Sequence, residues 1–419
     1  MPVEYLPRVL DDLLAARLTS AGAVLIEGPK ACGKTRTAQQ VARSAVHLDR
    51  DEASLHALQV DPALVLAGDP PQLVDEWQLD GTRVWNHVRA QVDLRGAPGQ
   101  FILTGSAVPD DDARRHSGAG RFARLLMRPM SLYESGDSDG SMSLRALLAG
   151  ERPHARAGAM TVPGIAELIV RGGWPLNLRM GADAAAAANR DYLRTVAEID
   201  LPRIAGPRRD PARVTRFIQA LARNTAMEHV VTRLAAEADG DDVSVSRLTA
   251  HEYQDALTRL MLLEVQPAWS THLRSRARLR DRPRTHLIDP SLAAAALDAT
   301  PERLLRDLNT LGLLFESLVV RDLRVYADAA DGAVHHYRDS DGLEVDAIVE
   351  ARDGTWGAFE VKLGAGQIDQ AASRLLKFAE KIDTAKVGAP AVLGVVTASG
   401  YGLTRPDGVV TIPIGALGP

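Results

Sequence analysis

Short apolar runs alternate with longer helix-compatible segments along the first third of the chain. Residues 24–26, 73–74 and 101–104 are short and apolar, as expected of buried strands. Each run is separated from the next by enough residues to form a crossover helix, which parallel strands require. The pattern therefore predicts an α/β fold with a parallel sheet between residues 23 and 134.

The pattern then becomes helical, and short strands return near the C-terminus. Ile165, Leu168 and Ile169 fall on one face of a predicted helix, and the alanine run at 184–188 favours another. We expect four domains: an α/β core at 1–150, a helical lid at 151–210, a third unit at 211–300 and a terminal α/β unit at 301–419.

Composition and charge limit the class of protein. The chain has 419 residues, of which 46% are hydrophobic, and its 49 basic and 54 acidic residues give a net charge of -5. This balance excludes a uniformly basic nucleic-acid coat protein but allows local basic patches. A single cysteine, Cys32, excludes a disulfide framework and cysteine-ligated zinc sites. Without an apolar stretch of about 18 residues or an N-terminal targeting pattern, we expect a cytoplasmic protein that does not enter a membrane.

The clearest chemical signal is a complete P-loop directly after the first apolar run. Its glycines let backbone N–H groups face phosphate oxygens, Lys34 is expected to reach the β- and γ-phosphates, and the Thr35 hydroxyl is expected to bind Mg²⁺. We therefore expect ATP and Mg²⁺ as cofactors. The predicted nucleotide-binding residues are Gly28, Pro29, Lys30, Ala31, Cys32, Gly33, Lys34, Thr35 and Arg36.

Two later strands supply the remaining polar groups that an ATPase needs. Asp75 and Glu76 follow the apolar run at 73–74, as in a Walker B strand, where Asp75 would hold Mg²⁺ and Glu76 would polarise the attacking water. Thr104 and Ser106 end the next strand, and either hydroxyl would suit contact with the γ-phosphate or the water. A simple strand-ending turn explains each hydroxyl taken alone equally well.

An arginine in a glycine-flanked loop beyond that strand is a candidate arginine finger. Arg121 is placed to reach the γ-phosphate of a neighbouring subunit, which would make hydrolysis depend on assembly. Arg124 and Arg128 are rival candidates, and a simple surface role is equally compatible with the sequence.

Together these motifs resemble a prokaryotic group of AAA-type (AAA+) P-loop ATPases fused to a C-terminal domain of unknown function related to restriction endonucleases. The resemblance rests on the P-loop, the Asp75 segment and the Thr104 segment, and on Tyr5-Leu-Pro-Arg8, Gly120-Arg121, Pro129-Met-Ser-Leu-Tyr-Glu134, Gly172-Gly-Trp-Pro175 and Ile199-Asp200-Leu201. Cys32 stands where the group often has valine or another small residue. The AAA class implies a homo-oligomer, with a hexamer favoured.

The third unit resembles a winged helix with an arginine-rich wing. A predicted capping box, Thr249 with Glu252, opens a helix, and strand-like segments follow. Arginines then occupy every second position from 274 to 284, a spacing that places strand side chains on one face. We expect DNA as a partner, with a solvated edge strand as the alternative. The predicted DNA contacts are Arg274, Arg276, Arg278 and Arg280.

The terminal unit contains the pattern Asp346, thirteen residues, then Glu360-x-Lys362, with Asp353-Gly354 as a hairpin turn. It resembles the PD-(D/E)xK core of restriction-endonuclease-like nucleases. By that resemblance Asp346 and Glu360 would bind a metal ion, Glu316 would add a helical carboxylate, and Lys362 would orient or activate water. Gln367 or Gln370 would support the site. The same acidic cluster would also suit DNA binding or stability alone.

The sequence therefore predicts Mg²⁺-dependent ATP hydrolysis by an oligomer, coupled to translocation or branch migration on DNA or to metal-dependent cleavage. One alternative is a nucleotide-operated switch that binds a protein partner, for instance in stress or phage defence, without acting on DNA. Another is a nuclease that uses ATP only to assemble.

Overall fold

A computed structural model describes residues 4–106, 118–155, 160–206, 209–238, 245–270 and 282–419. The chain divides into two compact units, residues 1–129 with 259–261, and residues 130–258 with 262–419. The finer division into four domains stays a prediction. Across these ranges no helix combines the length and the apolar character needed to cross a membrane.

The first unit is a parallel α/β fold, as the alternating pattern predicts. Its strands are β1 (Ala23–Glu27), β2 (Ser44–His47), β3 (Gln72–Asp75), β4 (Phe101–Gly105) and β5 (Phe122–Leu126), and its helices are α1 (Val9–Leu18), α2 (Lys34–Gln39), α3 (Glu52–Val60) and α4 (Gly81–Arg95). The described strands pair in the order β2-β3-β4-β1-β5, and every pairing is parallel. Because β4 lies between β1 and β3, the carboxyl ends of these three strands meet at one edge of the sheet.

The apolar pattern of the sequence does not predict the two outer strands, β2 and β5. Each of β2 and β5 buries only one residue, whereas the inner strands β3 and β4 are buried throughout. The helix-compatible stretch at 36–44 is also shorter than expected, because α2 ends at Gln39 and Ser44 already pairs with Gln72 of β3. Edge pairing therefore overrides local helix compatibility at this point.

The second unit begins with helices and short strands. They are α5 (Leu132–Ser135), β6 (Met142–Ser143), α6 (Leu144–Leu148), α7 (Val162–Arg171), α8 (Ala182–Thr195), α9 (Leu201–Ala205), α10 (Pro211–Arg223), β7 (Met227–Glu228), α11 (Val231–Ala238), α12 (Arg247–Arg259), β8 (Leu263–Gln266), β9 (Arg284–Leu287), α13 (Pro290–Ala296) and α14 (Pro301–Arg306). The helix α7 buries Ile165 and Ile169 on its apolar face, while Leu168 is only half-buried.

The segment predicted as a winged helix contains α10, β7, α11, α12, β8 and β9 in that order, and its described strands pair antiparallel in the order β7-β9-β8. One detail of the prediction is wrong. Ser246, not Thr249, caps α12, because the Ser246 hydroxyl accepts from the Thr249 backbone N–H at 3.1 Å. Arg274, Arg276, Arg278 and Arg280 lie outside the described residues, and the winged-helix interpretation stays a prediction.

A mixed sheet forms the end of the second unit. Its elements are α15 (Leu308–Ala329), β10 (Ala333–Arg338), β11 (Glu344–Glu350), β12 (Trp356–Lys362), α16 (Ile368–Lys381), α17 (Thr384–Val387), β13 (Val392–Thr397), β14 (Leu403–Thr404) and β15 (Val410–Pro413), and β16 (Leu417–Gly418) pairs with β6. The described strands follow the order β10-β11-β12-β13-β15-β14. The β11–β12 hairpin is antiparallel, as Asp353-Gly354 predicts, and α15 and α16 pack on this sheet.

A buried ion-pair network joins several motifs of the second unit. Arg321 on α15 lies 2.7 Å from Asp289 and 2.6 Å from Asp322, and all three side chains are at most 3% exposed. Asp289 also accepts from the Gly173 backbone N–H, and Asp322 accepts from that of Leu132. The Gly172 and Pro129 motifs of the sequence therefore hold this unit together.

Candidate functional site

The P-loop connects β1 to α2 in a strongly curved backbone. Gly33 has a φ of 109°, in the left-handed region that favours glycine. A Cβ on Gly28 would lie 2.2 Å from the Met127 carbonyl oxygen, so a side chain cannot be accommodated there. The Lys34 ammonium donates to the carbonyl oxygens of Gly28 and Pro29, at 2.9 and 2.8 Å. The P-loop backbone thus surrounds the buried ammonium group of Lys34.

A buried arginine fixes this loop from the N-terminal side. Arg8 is 7% exposed and donates to the carbonyl oxygens of Cys32 at 2.9 Å and Arg128 at 2.8 Å. Tyr5, from the same sequence motif, donates to Asp11 at 2.6 Å. Arg8 therefore links the P-loop to the segment that follows β5. This contact gives an arginine that lies well before the P-loop in the sequence a structural role at the loop.

Asp75 is the point at which the predicted ATPase residues converge. Its Oδ1 accepts from the Thr35 hydroxyl at 2.9 Å and from the Thr104 hydroxyl at 2.5 Å. The carboxylate is only 2% exposed. Carboxylate and hydroxyl oxygens are the hard ligands that Mg²⁺ prefers, so Thr35 and Asp75 fit a magnesium ion at this edge of the sheet.

Sequence reasoning missed a histidine at this point. His47 ends β2, lies directly opposite Asp75 in the β2–β3 register, and places Nδ1 2.9 Å from Asp75 Oδ2. Together with the exposed Asp49, these residues bring three possible ligand atoms within 4.8 Å of one another, the only such histidine and acidic group within the described ranges. The strand Ser-Ala-Val-His buries only Val46, so its apolar pattern is too weak to predict a strand that ends opposite Asp75.

The other predicted catalytic groups lie near Asp75 or on the surface of the same unit. Glu76 adopts a left-handed backbone with φ of 52°, and its carboxylate contacts the Gln78 amide and, at 3.5 Å, the Ser106 hydroxyl. Arg121 is exposed and pairs with Asp93 at 2.9 Å. The role of Arg121 as an arginine finger, with Arg124 and Arg128 as rival candidates, stays a prediction.

The terminal unit brings the predicted acidic residues into one cluster, but it adds a cation that we did not expect there. Lys362 Nζ lies 2.7 Å from Glu360 Oε2 and 3.2 Å from Asp346 Oδ2. The Arg284 guanidinium lies 2.7 Å from Glu316 Oε1 and 3.7 Å from Asp346 Oδ1. Gln367 and Gln370 are exposed.

Arg284, the last arginine of the period-two run, is therefore buried and does not belong to an exposed strip. Its side chain is 6% exposed and also pairs with Glu344 at 2.9 Å. Period-two spacing identifies residues that share a face of a strand, but it does not tell whether that face meets solvent. Arg284 is the first residue of β9, and it is paired on both sides, with Glu228 of β7 and Gln266 of β8.

Burial and mutual repulsion perturb the acidic cluster. Burial, reinforced by the charge of Asp346, raises the pKa of Glu316 to about 8 and that of Glu360 to about 7. Although burial alone would lower it, the neighbouring Glu316 and Asp346 raise the pKa of Arg284. The cluster thus holds fixed positive charges beside carboxyl groups that retain protons near neutral pH.

Comparison with known proteins covers most of the chain in three parts. Residues 20–135 match a family of AAA domains, residues 163–303 match a domain of unknown function, DUF8612, and residues 311–417 match another, DUF4143. The DUF8612 match crosses the predicted boundary at residue 210. No curated protein matches the chain. The chain therefore joins an AAA-type ATPase domain at its N-terminus to a DUF4143 domain at its C-terminus.

Proposed function

We propose that this protein hydrolyses ATP with Mg²⁺ at the P-loop, and that an oligomer couples hydrolysis to action on DNA. The observation that carries the hydrolysis proposal is the convergence of Thr35 and Thr104 on one oxygen of the buried Asp75. The AAA match over residues 20–135 supports nucleotide-dependent ATPase activity independently of this geometry.

Each residue of this edge has a separate task in the proposed reaction. Lys34 neutralises the β- and γ-phosphates, and Thr35 with Asp75 holds the metal ion. Bound Mg²⁺ would neutralise phosphate oxygens during transfer to water. Glu76, held by Gln78 and close to Ser106, accepts the proton of the attacking water, and Thr104 fixes the Asp75 carboxylate.

The test separates binding from chemistry. Lys34→Ala should lose both nucleotide affinity and turnover, whereas Glu76→Gln should keep affinity and lose about 100-fold or more in kcat. Lys386→Ala, a surface lysine paired with Asp383, is the matched control and should behave as wild type. Turnover of Glu76→Gln within about twofold of wild type would remove Glu76 from the mechanism.

The DNA part of the proposal rests on the helix and strand order of residues 211–287 and on the arginines at 274, 276, 278 and 280. Single-stranded, duplex and branched DNA should each be tested as stimulators of ATP turnover. Replacing these four arginines by alanine should reduce stimulation and flatten its salt dependence. If DNA does not stimulate wild-type turnover at any salt concentration, the protein-binding switch becomes the better interpretation.

Assembly is proposed from the arginine-finger hypothesis. Arg121 pairs with Asp93 of its own chain on an exposed surface, so it must leave that carboxylate to reach a neighbouring γ-phosphate. We expect turnover per subunit to rise with protein concentration in wild type but not in Arg121→Ala. Arg83→Ala, which removes a surface pair with Asp80 on the same unit, is the control. An equal rise in both variants would contradict a role for Arg121.

Metal-dependent cleavage has weaker support. Asp346, Glu360 and Lys362 lie together in the order that the nuclease resemblance implies. However, the same carboxylates already contact Arg284 and Lys362, which supply positive charge without a metal ion. Cleavage of DNA with Mg²⁺ or Mn²⁺ that disappears in Asp346→Ala would establish the activity, and its persistence in that variant would remove this site as its source.

A further inference from the structure

The acidic cluster of the terminal unit surrounds a buried arginine. Nη1 of Arg284 lies 2.7 Å from Glu316 Oε1 and 3.7 Å from Asp346 Oδ1, and Nη2 lies 2.9 Å from Glu344 Oε2. Nη1 thus lies between Glu316 and Asp346, two of the three carboxylates that the nuclease resemblance assigns to a metal ion. The side chain is 6% exposed, so this is an internal contact rather than a surface pair.

Lys362, the lysine that the nuclease resemblance expects here, lies on the other side of the cluster. Its Nζ contacts Asp346 Oδ2 at 3.2 Å and Glu360 Oε2 at 2.7 Å. The Val361 backbone N–H also donates to Asp346 Oδ2 at 2.8 Å. Both carboxylate oxygens of Asp346 therefore face N–H groups, those of Arg284 on one side and those of Lys362 and Val361 on the other.

The arrangement does not fit a divalent metal ion. Metal ligands converge on one point, but here the point that Glu316 and Asp346 share is occupied by Arg284 Nη1. Within the described ranges, the acidic and histidine ligand atoms that do converge belong to His47, Asp49 and Asp75. Guanidinium is charged at every physiological pH, so a metal ion at Asp346 would lie beside a permanent positive charge.

The position of Arg284 is fixed by its strand. β9 pairs with β7 on one side and β8 on the other, and Arg284 lies opposite Gln266. The Gln266 amide donates to the Asp346 carbonyl oxygen at 2.9 Å, and His286, two residues beyond Arg284, hydrogen-bonds Ser317, the residue after Glu316. The strands that carry the arginine and its carboxylates are therefore bonded to one another through independent contacts.

We propose that Arg284 is the resident cation of the Glu316–Asp346 pair and excludes divalent metal ions from the terminal unit. Without a bound metal ion, this cluster would not support metal-dependent cleavage. This inference is independent of ATP hydrolysis, because all of its residues lie in the second unit.

The test is calorimetric titration of the full chain with MnCl₂ in the absence of nucleotide. Wild type and Asp346→Asn should bind Mn²⁺ identically, because any binding at His47, Asp49 and Asp75 is common to both. Arg284→Met should gain about one equivalent, and Arg284→Met/Asp346→Asn should lose it again. Arg338→Met, which removes another cation from Glu344 without contacting Asp346, is the matched control and should gain none.

Two results would overturn the proposal. One is Mn²⁺ binding by wild type that Asp346→Asn abolishes, and this comparison needs no change at position 284. The other is a folded Arg284→Met chain, verified by circular dichroism, that gains no equivalent. If methionine prevents folding, Arg284→Gln keeps hydrogen-bond donors to the carboxylates while removing the charge, and the same gain is expected.

Discussion

Replacing Glu316 by glutamine should remove a pH dependence of stability that the acidic cluster creates. Burial and the nearby Asp346 raise the pKa of Glu316 from its ordinary value of 4.5 to about 8, against the opposing charge of Arg284. Between these values the folded carboxyl retains a proton that the unfolded carboxyl has lost. The free energy of unfolding must therefore fall as the pH rises towards 8.

The magnitude follows from the size of the shift. From pH 6 to pH 8 a fully buried group of this kind would cost about 2–3 kcal/mol, because the slope of about 1.4 kcal/mol for each pH unit falls to half as the pH reaches the folded pKa. The Glu316 side chain is 13% exposed, and partial hydration weakens the effect, so we expect about 2 kcal/mol. Glutamine mimics the protonated carboxyl at every pH. Relative to wild type, Glu316→Gln should therefore gain about 2 kcal/mol between pH 6 and pH 8.

The assay must report on the second unit alone, because a chain of two compact units need not unfold in one step. Urea unfolding followed by ¹⁹F NMR of 5-fluorotryptophan meets this need, since Trp269 and Trp356 lie in the core of that unit. Glu380→Gln, an exposed change on α16, is the control and should leave the pH dependence as in wild type.

A loss of stability in Glu316→Gln at both pH values would indicate that Glu316 is ionised. If Glu316 is ionised and simply neutralises Arg284 at 2.7 Å, its removal leaves a buried cation without one of its partners. Glu316→Gln would then lose about 3–5 kcal/mol at both pH values and keep the wild-type slope. That outcome would refute the raised pKa and the reasoning built on it.

Three further predictions concern other buried polar groups. His47→Ala should lower kcat/KM for ATP about tenfold by removing a hydrogen bond to the buried Asp75, while His47→Asn, whose amide can replace Nδ1, should stay within about twofold, as steady-state kinetics will test. Arg8→Met should lower the free energy of unfolding by about 2–4 kcal/mol in urea titrations, because two buried carbonyl oxygens lose their donor. Arg321→Met should cost about 3–5 kcal/mol in the same measurement, since two fully buried carboxylates lose their cation; losses below about 1 kcal/mol would contradict either estimate.

The nucleotide site was largely predictable because its residues follow buried strands. The P-loop is contiguous, and Asp75 and Thr104 end two inner strands whose apolar runs are visible in the sequence. Parallel strands bring such ends together without further information. His47 was missed because it ends an edge strand with one buried residue, and edge strands have little of the apolar pattern that reveals the inner ones.

Strand geometry predicted the terminal cluster only within its hairpin, and Glu316 of α15 was added by the nuclease resemblance. Glu360 and Lys362 lie two residues apart on β12, so a shared face follows from strand geometry, and their 2.7 Å contact confirms it. Arg284 reaches the same cluster from β9, more than 60 residues before Asp346 in the chain. Only the pairing of β9 with β7 and β8 fixes that position, and no local pattern encodes the choice of partner strands.

This difference changes how the arginine strip has to be tested. Arg282 is exposed and Arg284 is buried in an ion-paired cluster, so the regular spacing spans two different environments. Removing every arginine from 274 to 284 would combine any loss of DNA contacts with damage to the core of the terminal unit. Substitutions at 274, 276, 278 and 280 that leave Arg284 intact avoid this, and a loss of DNA-stimulated turnover in that variant can then be assigned to phosphate contacts.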